Sequence, residues 1–539
     1  MSIHFRIRCS KGLQDAIMTK SKQTNREDTM AKENNRGRDG ILKKIEDLGN
    51  ALPHPAIIFV MLSVAIVIIS FIISLLGAEV TYLEARTGEL VTITAENLLS
   101  AEGLRYIFNS ATKNFTGFAP LGTVLVAMLG VGVAEWSGLI NASLKKLLSN
   151  VHPRLLTAVV VFAGIMSNVA SDAGYVVVIP LGAIMFAGAG RHPIAGLAAA
   201  FAGVSAGFSA NLLVGTIDPL LGGITNAALE SVGETYEVLA TGNYFFMIAS
   251  TFLLTFLGAV VTEKVVEKNL GSYEGDYTPN SDKLTAVENK GLRNALVSLL
   301  LFAVVMLVLT VPENAVFKSL DANGNLNLNE FLGNGLILMI LLVFLIPGYV
   351  YGKTVGKIKD SGDLVESMTE AMKSMGGYLV LSFFAAQFVA YFGKSNLGII
   401  LSVSGAEFLE NIGFKGLPLI IAFILISALL NLFMGSASAK WAIMAPIFVP
   451  MMLRLGLSPE LTQVAYRIGD STTNIISPLM VYFPMIVVFA KRYDKKSGIG
   501  TIISTMLPYS LVFLAGWIVL LAFWYFVELP LGPGAGIYF

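Results

Sequence analysis

Cysteine, histidine and charged residues are scarce in this chain of 539 residues. Its single cysteine, Cys9, excludes an internal disulfide, a cysteine-based zinc site and an iron–sulfur cluster. Its four histidines form no HExxH motif, which argues against a metalloprotease. Charged residues make up 14% of the chain, and 37 basic residues balance 37 acidic ones. The net charge therefore gives no sign of a nucleic-acid partner, and none is expected.

Long apolar runs are what the chain has instead. Hydrophobic residues make up 55% of it, and runs of roughly 20 of them, the length that crosses a bilayer, recur throughout. This pattern predicts an all-α polytopic membrane protein with about nine transmembrane helices. Because Lys and Arg favour cytoplasmic loops, their distribution predicts a cytoplasmic N-terminus and a C-terminus outside.

Two apolar segments do not fit the simple pattern of spans. Residues 155–189 and 418–452 are each too long for one span and too short for two spans with a loop. Their centres, SNVASDAGY and MGSASAKW, are polar and broken by glycine. Each segment therefore predicts a re-entrant hairpin, since irregular backbone is tolerated at membrane depth where protein or water satisfies it. Two short buried helices are the alternative for the first segment.

Each predicted hairpin is followed by a crossing with a polar interruption. The interruptions read SAGFSANLLVGTIDPL and RIGDSTTNIISP, and the two hairpins enter from opposite faces. Asn211 follows Asn168 by 43 residues, and Asn474 follows Asn431 by the same interval. Inverted repeats with discontinuous helices place substrate and ion sites near the bilayer midplane. The sequence therefore predicts a secondary transporter.

The predicted segments follow from this pattern. They are a cytoplasmic tail, two spans, the first hairpin with its broken crossing, scaffold helices, the second hairpin with its broken crossing, and a last span, at residues 1–50, 51–150, 151–230, 231–417, 418–492 and 493–539. Met30 begins a stretch that resembles a start in its own right. The residues before it are expected to be an over-long gene start or a disordered tail.

Charges inside the second broken crossing indicate a substrate or ion pathway. Arg467 and Asp470 are three residues apart and share one face of a helix. Arg467 suits a substrate carboxylate, because a guanidinium binds carboxylates bidentately. The alternative is an ion pair with Asp470 that only holds the broken helix in place. The hydroxyl and amide groups that follow Asp470, up to Asn474, give the oxygen-rich surroundings of a hard cation, and proton carriage by Asp470 is the alternative.

Four stretches carry a family resemblance that extends from about residue 52 to the end: PLGTVLVAMLGVGVAEWSGLI, GRHPIAGLAAAFAGVSAGFSANLLVGTIDPLLGGIT, GSASAKWAIMAPIFVP and AYRIGDSTTNIISPLMVYFP. With them the chain resembles the aminobenzoyl-glutamate transporter (AbgT) family. The resemblance implies a homodimer in the bacterial inner membrane, each protomer having nine transmembrane helices and two hairpins. It also implies cation-driven transport of p-aminobenzoyl-glutamate or related antimetabolites, since the family includes importers of that folate breakdown product and exporters of sulfonamides.

The resemblance also implies roles for individual residues. It makes Asn431 and Asp470 sodium-site candidates, together with Asn474, and it places Arg467, Asp470 and Pro478 near the substrate. All five residues are present in this chain.

Other residues are candidates on both grounds. Ser438 and Trp441 match positions that the family uses around its substrate, and Trp441, beside Lys440 at the second hairpin tip, is expected to stack on an aminobenzoyl ring. An interfacial anchor is the alternative for this tryptophan. Asp218 is a candidate proton or cation carrier near the substrate.

Secondary candidates are Lys440 at the second hairpin tip and several residues of the first hairpin. Ser167, Asn168 and Asp172 at its tip, with Asn211 in the following crossing, are candidates for a second ion site. Capping of the half-helices at the tip is the alternative role for them.

The predicted function is ion-gradient-coupled transport of an aromatic carboxylate. The expected partners are that small molecule and membrane lipid, and no cofactor is expected beyond a coupling sodium ion or proton. A cation-coupled carrier of another organic anion, such as a dicarboxylate, is the alternative. A channel and an intramembrane enzyme are the rival classes.

Overall fold

This computed structural model describes residues 53–83, 90–148, 151–170, 173–273, 284–320, 326–328, 331, 335–477, 480 and 482–539. Twenty α-helices run in chain order through these residues: α1 Pro55–Leu75, α2 Ala101–Thr116, α3 Ala119–Ser137, α4 Leu139–Leu148, α5 Leu156–Ser167, α6 Ala173–Gly188, α7 Pro193–Phe201, α8 Ile217–Glu230, α9 Tyr244–Val261, α10 Glu267–Leu270, α11 Ala286–Thr310, α12 Leu336–Val355, α13 Ser361–Ser374, α14 Gly376–Lys394, α15 Leu397–Asn411, α16 Leu417–Asn431, α17 Ala437–Arg454, α18 Pro459–Thr473, α19 Phe483–Lys491 and α20 Ile499–Val527. Two short antiparallel pairs of strands join them: β1 Glu79–Leu83 with β2 Leu90–Thr94, and β3 Ser319–Leu320 with β4 Leu326–Asn327.

Seven helical stretches within the described residues are long and apolar enough to cross a membrane: Pro55–Leu75, Ala101–Ser137, Tyr244–Leu270, Ala286–Thr310, Leu336–Val355, Gly376–Lys394 and Ile499–Val527. Two interrupted crossings, α7 with α8 and α18 with α19, bring the described total to the predicted nine. The all-α polytopic fold class with two hairpins is confirmed. The predicted tail at residues 1–50 lies outside the described residues.

The helices of the two hairpins are not among the seven stretches long and apolar enough to cross a membrane. In the first hairpin, α5 has 12 residues and α6 has 16, against the roughly 20 that a span needs. In the second, α16 has 15 residues and α17 has 18. Helix α6 packs against α7, and α16 packs against α18, so each hairpin adheres to its own broken crossing. We call α5–α8 the first unit and α16–α19 the second unit.

The interruptions of the two crossings meet. Helix α7 continues into a wide π-helical turn, Ala202–Ala206, and the chain is then non-helical until α8. Helix α18 continues into a tight turn, Asn474–Ile476, before α19 begins at Phe483. The two turns contact each other, so the irregular backbone of both units converges on one region. Inside a membrane such backbone is tolerated where protein surrounds it or a cavity is lined.

Close helix packing within the units depends on glycine. A Cβ on Gly469 of α18 would lie 2.4 Å from the carbonyl oxygen of Ile424 on α16. In the first unit, a Cβ on Gly196 would lie 2.3 Å from the carbonyl oxygen of Gly182. Small residues let backbones approach closely, and this compensates for the absence of a hydrophobic driving force between helices in lipid.

Regular structure also forms outside the apolar runs. Residues 77–113 include the pair β1–β2 and most of α2. Helix α13, with the sequence SGDLVESMTEAMKS, is a second element without an apolar run. Hydropathy misses such elements, because an amphipathic helix has no apolar run and is detected by its periodicity instead.

Candidate functional site

Four buried charged side chains meet where the two units contact each other. Asp218 lies on α8 of the first unit, and Lys440, Arg467 and Asp470 lie on α17 and α18 of the second. Each of these residues is at most 3% exposed. We call them the central charge cluster. Intramembrane charges at such burial are expensive unless they are paired, and they usually mark a functional site.

The ion pairs within the cluster differ from the pair considered from sequence. Nη2 of Arg467 lies 2.8 Å from Oδ1 of Asp218, and Nζ of Lys440 lies 2.6 Å from Oδ1 of Asp470. The alternative of an ion pair between Arg467 and Asp470 is therefore wrong. Their spacing of three residues places them on one side of α18, but Arg467 reaches α8 and Asp470 reaches α17.

Arg467 keeps donors that form no hydrogen bond. Nε and Nη2 of Arg467, and Oδ1 of Asp218, are buried and have no hydrogen-bond partner within the described part of the chain. The contact of 2.8 Å between Arg467 Nη2 and Asp218 Oδ1 is thus an ion pair whose geometry does not form a hydrogen bond. The other oxygen of Asp218, Oδ2, accepts a hydrogen bond of 2.7 Å from the backbone N–H of Gly215.

Lys440 lies in a cage of three oxygens. Its ammonium donates to Asp470 Oδ1 at 2.6 Å, to the backbone carbonyl of Met434 at 3.0 Å, and to Oδ1 of Asn431. Met434 belongs to the non-helical tip between α16 and α17, so its carbonyl is free of helical hydrogen bonding. An ammonium has three donors, and here each has an acceptor.

The predicted sodium candidates lie together around this cage. Nδ2 of Asn431 lies 2.6 Å from the carbonyl oxygen of Asp470 and 2.8 Å from Oδ1 of Asn474. Nδ2 of Asn474 in turn donates a hydrogen bond of 3.3 Å to the carbonyl oxygen of Ser205 in the π-helical turn of the first unit. The structure thus brings Asn431, Asp470 and Asn474 into one cluster, while their role as sodium ligands stays a prediction.

Trp441 is fully buried one turn into α17. Its indole N–H lies 3.0 Å from Oγ1 of Thr225 and 3.2 Å from the carbonyl of Leu221, both on α8. Its ring stacks on Tyr466 of α18, with 4.6 Å between ring centroids. The alternative of an interfacial anchor is therefore wrong. Ser438 lies half-buried at the start of the same helix, with its hydroxyl 3.5 Å from that of Ser436.

The first hairpin tip satisfies its polar groups locally. The hydroxyl of Ser167 donates a hydrogen bond of 2.6 Å to the carbonyl of Gly164, and the amide of Asn168 donates one of 3.2 Å to the carbonyl of Ile165. Asn211 donates 3.4 Å to the same carbonyl of Ile165, so the two asparagines converge without bonding to each other. These contacts fit the capping alternative, although Oδ1 of Asn168 has no partner among the described residues. Two further candidates, Asp172 and Pro478, lie outside the described residues.

A buried polar chain beside Trp441 is not predicted from the sequence. Thr225 donates 2.7 Å to Oε1 of Gln463, and Gln463 donates 2.9 Å to Oδ1 of Asn243. Asn243 donates 3.0 Å to the carbonyl of Glu460, whose carboxylate accepts 2.8 Å from the hydroxyl of Tyr236. The sequence of α18, PELTQVAYRIGDSTT, could have indicated this chain, because its polar residues lie on every side of the helix. Such a helix at membrane depth must be enclosed by protein.

Comparisons with known proteins agree with this architecture. The model of a family described as the "AbgT putative transporter family" matches residues 40–539. The p-aminobenzoyl-glutamate transport protein of Escherichia coli (strain K12) is 38% identical over 490 residues, which are 91% of this chain and 95% of that protein.

Two solved transporter structures are similar as well. The YdaH transporter of Alcanivorax borkumensis, described as having an unusual topology, is 45% identical with a TM-score of 0.83, covering 89% of this chain and 100% of that one. MtrF of Neisseria gonorrhoeae, described as illuminating a class of antimetabolite efflux pumps, is 47% identical with a TM-score of 0.86, covering 92% and 100%. The chain therefore belongs to the AbgT family, and it is a multi-pass membrane transporter, not an enzyme.

Proposed function

We propose that the chain is an ion-gradient-coupled secondary transporter of p-aminobenzoyl-glutamate or a related aromatic carboxylate in the bacterial inner membrane. The named substrate of the Escherichia coli relative supports this substrate class. The description of MtrF supports antimetabolites as further cargo and export as a direction of transport. Sulfonamides, which the family resemblance implies, are part of the proposed cargo. Sodium or a proton is the coupling ion, and the transporter uses no other cofactor.

The observation that carries the substrate class is the incomplete pairing of Arg467. Its buried Nε and Nη2 have no hydrogen-bond acceptor in the described structure, and they lie beside a carboxylate that contacts them without alignment. A substrate carboxylate that approached in the plane of the guanidinium would form the bidentate pair that Asp218 does not form. Arg467 therefore binds the glutamyl or benzoyl carboxylate in this proposal.

The aromatic part of the substrate has aromatic neighbours next to this arginine, namely the buried rings of Tyr466 and Trp441. Tyr466 precedes Arg467 on α18, and Trp441 stacks on it. Stacked aromatic side chains favour an additional offset or edge-on ring. The half-buried hydroxyl of Ser438, one turn before Trp441, is a donor for the amide of such a substrate. An aminobenzoyl ring bound here would leave its glutamyl carboxylates near Arg467.

Transport in reconstituted vesicles tests this proposal. Labelled p-aminobenzoyl-glutamate should accumulate in proteoliposomes when a sodium or a proton gradient is imposed, and the two gradients should be imposed separately. Insensitivity to both gradients would contradict ion coupling. Competition by unlabelled dicarboxylates, but not by p-aminobenzoate, would favour the dicarboxylate alternative, and unitary currents in a planar bilayer would indicate a channel.

A pair of arginine variants sharpens the test. Arg467→Ala should raise KM for the carboxylate substrate more than tenfold, since a charge-assisted bidentate contact contributes about 1.5–3 kcal/mol. Arg454→Ala is the matched control, because Arg454 lies at the far end of α17, where it stacks over Tyr82 and donates to Ser402. Equal KM values in the two variants would remove Arg467 from the substrate site.

Orientation and assembly belong to the same proposal. Basic residues at and just after the end of α19, namely Lys491, Arg492, Lys495 and Lys496, support a cytoplasmic position for that end and hence an external C-terminus. Only 6% of the 18-residue apolar stretch of helix α11 is buried inside the protein. The rest is an apolar surface for lipid or for a second copy of the chain. Light scattering in mild detergent should give a protein mass twice that of one chain, and the mass of a single chain would contradict the dimer.

A further inference from the structure

The ammonium of Lys440 is coordinated as a small cation would be. Its three acceptors are a carboxylate oxygen of Asp470, an amide oxygen of Asn431 and the free backbone carbonyl of Met434. Carboxylate, amide and unwound carbonyl oxygens are the ligands with which discontinuous helices hold sodium in transporters. Lys440 is 1% exposed, so the ammonium has exchanged its hydration shell for these oxygens.

We propose that Lys440 is a tethered cation that competes with free sodium for the oxygen cage of Asn431, Met434 and Asp470. Sodium then enters this cage only after the ammonium has left it. The proposal deepens the ion coupling proposed above and rests on it, because it makes withdrawal of one side chain the condition for sodium entry.

Electrostatics make the two occupants mutually exclusive. Asp470 supplies one negative charge, and Lys440 already neutralises it at 2.6 Å. A second cation at the same oxygens would face an unbalanced positive charge at close range in a desolvated site, which is strongly unfavourable. The lysine can withdraw without unfolding the helix, since its flexible four-carbon stem is attached at the first turn of α17.

Few other charges bear on this lysine. The described charged and titratable groups on α17 and on the elements that pack around it are, apart from Lys440 and Asp470 themselves, Arg454 on α17, Tyr466, Arg467 and Glu460 on α18, Asp218 and Glu230 on α8, Glu407 and Glu410 on α15, and Tyr378, Tyr391 and Lys394 on α14. Tyr466 is the nearest of these, with its hydroxyl 3.3 Å from Oδ1 of Asp470. Arg467 is engaged by Asp218. Glu230, Glu407 and Glu410 are exposed, so they do not contribute to the cage.

Ion binding without substrate tests the proposal independently of transport. The readout is the thermal unfolding temperature of the purified full chain in detergent, with sodium chloride compared with choline chloride at equal ionic strength. At pH 7 the wild type should respond equally to both salts. Lys440→Met should show a saturable sodium-specific rise of at least about 2 °C, because a ligand that binds the folded state raises its stability. Addition of Asp470→Asn to Lys440→Met should abolish that rise.

Two controls complete the design. Lys394→Met removes a lysine that pairs with Glu96 away from the cage, and it should leave the wild-type response unchanged. If Lys440→Met does not fold, Lys440→Gln decides the matter, because it also removes the positive charge from the cage while keeping a polar side chain. A sodium-specific rise of equal size in the wild type and in the Lys440 variant, or no rise in either, would overturn the proposal. Failure of p-aminobenzoyl-glutamate transport would leave these results unaffected.

Discussion

Arg467 and Asp218 belong to opposite units of the inverted repeat, and their charged groups meet 2.8 Å apart inside the protein. Both residues are at least 97% buried, so the pair is a desolvated link between the two units. In the proposed function, a substrate carboxylate that binds Arg467 competes with this link. Binding of the substrate and separation of the units are then connected through one guanidinium.

Removal of the aspartate should therefore be costly. Asp218→Asn leaves the guanidinium of Arg467 buried without a counter-charge, which costs about 3–5 kcal/mol. Thermal unfolding should show a large loss of stability. Glu370→Gln is the control, because Glu370 pairs with Lys373 on the surface, where such a pair contributes about 0–1 kcal/mol.

A double variant separates the pair from its environment. Asp218→Leu with Arg467→Met removes both buried charges, and it should unfold at a higher temperature than either single variant because no unpaired charge remains. A double variant less stable than both single variants would contradict the proposed pairing.

The hydrogen bonds of Trp441 can be separated from its stacking. Trp441→Phe keeps a ring over Tyr466 but leaves Thr225 and the carbonyl of Leu221 without their donor, which should cost about 1–3 kcal/mol of stability. Trp517→Phe is the matched control, because it removes a similar buried bond of 2.6 Å to Ser250. Both variants should lose stability, but only Trp441→Phe should raise KM. An unchanged KM in Trp441→Phe would exclude this indole from the substrate site.

The close approach of α16 and α18 should not tolerate a methyl group. In Gly469→Ala the new Cβ meets the carbonyl oxygen of Ile424 at 2.4 Å, so one backbone must move. Overpacking of this kind costs about 1–3 kcal/mol. The displacement should also separate Asn431 from Asp470 and so weaken ion-dependent transport in vesicles.

Helix propensity supplies the control for this substitution. Gly377→Ala lies on an exposed part of α14 with no atom within 4 Å of the new Cβ, and it should be neutral or stabilise by up to about 1 kcal/mol. If both alanine variants unfolded at the wild-type temperature, the contact between α16 and α18 would be looser than described.

A histidine between the first hairpin and its broken crossing should make stability pH-dependent. Nδ1 of His192 accepts 3.2 Å from the backbone N–H of Ile194 and caps α7. Burial lowers the pKa of His192 below its ordinary value, and the carboxylates of Asp494 and Glu267 oppose this only in part. The folded state thus favours the neutral ring, which contributes stability above the unfolded pKa of about 6.5 and loses it as pH falls through the lower folded pKa.

Substitution of His192 by an asparagine isolates this effect. His192→Asn retains a capping acceptor that does not titrate, so its unfolding temperature should fall less than that of the wild type between pH 7 and pH 5. His152→Asn changes a histidine that caps the turn at Arg154 but is exposed, and it should follow the wild type. Parallel pH profiles for all three proteins would remove His192 as the source.

The hairpins and broken crossings were predictable because polar residues and glycines inside a long apolar run indicate an interruption of the helix at membrane depth. The described non-α-helical parts of both predicted tips lie beside short helices, since residues 168–170 follow α5 and residues 432–436 separate α16 from α17. The equal spacing of the asparagine pairs also corresponded to real proximity, since Asn431 bonds to Asn474 directly while Asn168 and Asn211 share one carbonyl.

Pairing across the units was not predictable, because hydropathy indicates depth but not lateral neighbours. The sequence suggested Asp470 as a partner for Arg467, whereas α8 delivers Asp218 to it. It likewise treated Lys440 as a secondary candidate, although this lysine fills the cage of the predicted sodium ligands.

The central charge cluster also has an electrical consequence. With two carboxylates and two cationic side chains, its formal charges sum to zero. A carboxylate substrate therefore brings charge that the cluster does not cancel, and each uncompensated charge that crosses the bilayer exchanges about 2.3 kcal/mol per 100 mV with the membrane potential. The number of cations that travel with the substrate thus decides whether voltage drives the transport cycle, opposes it or leaves it unaffected.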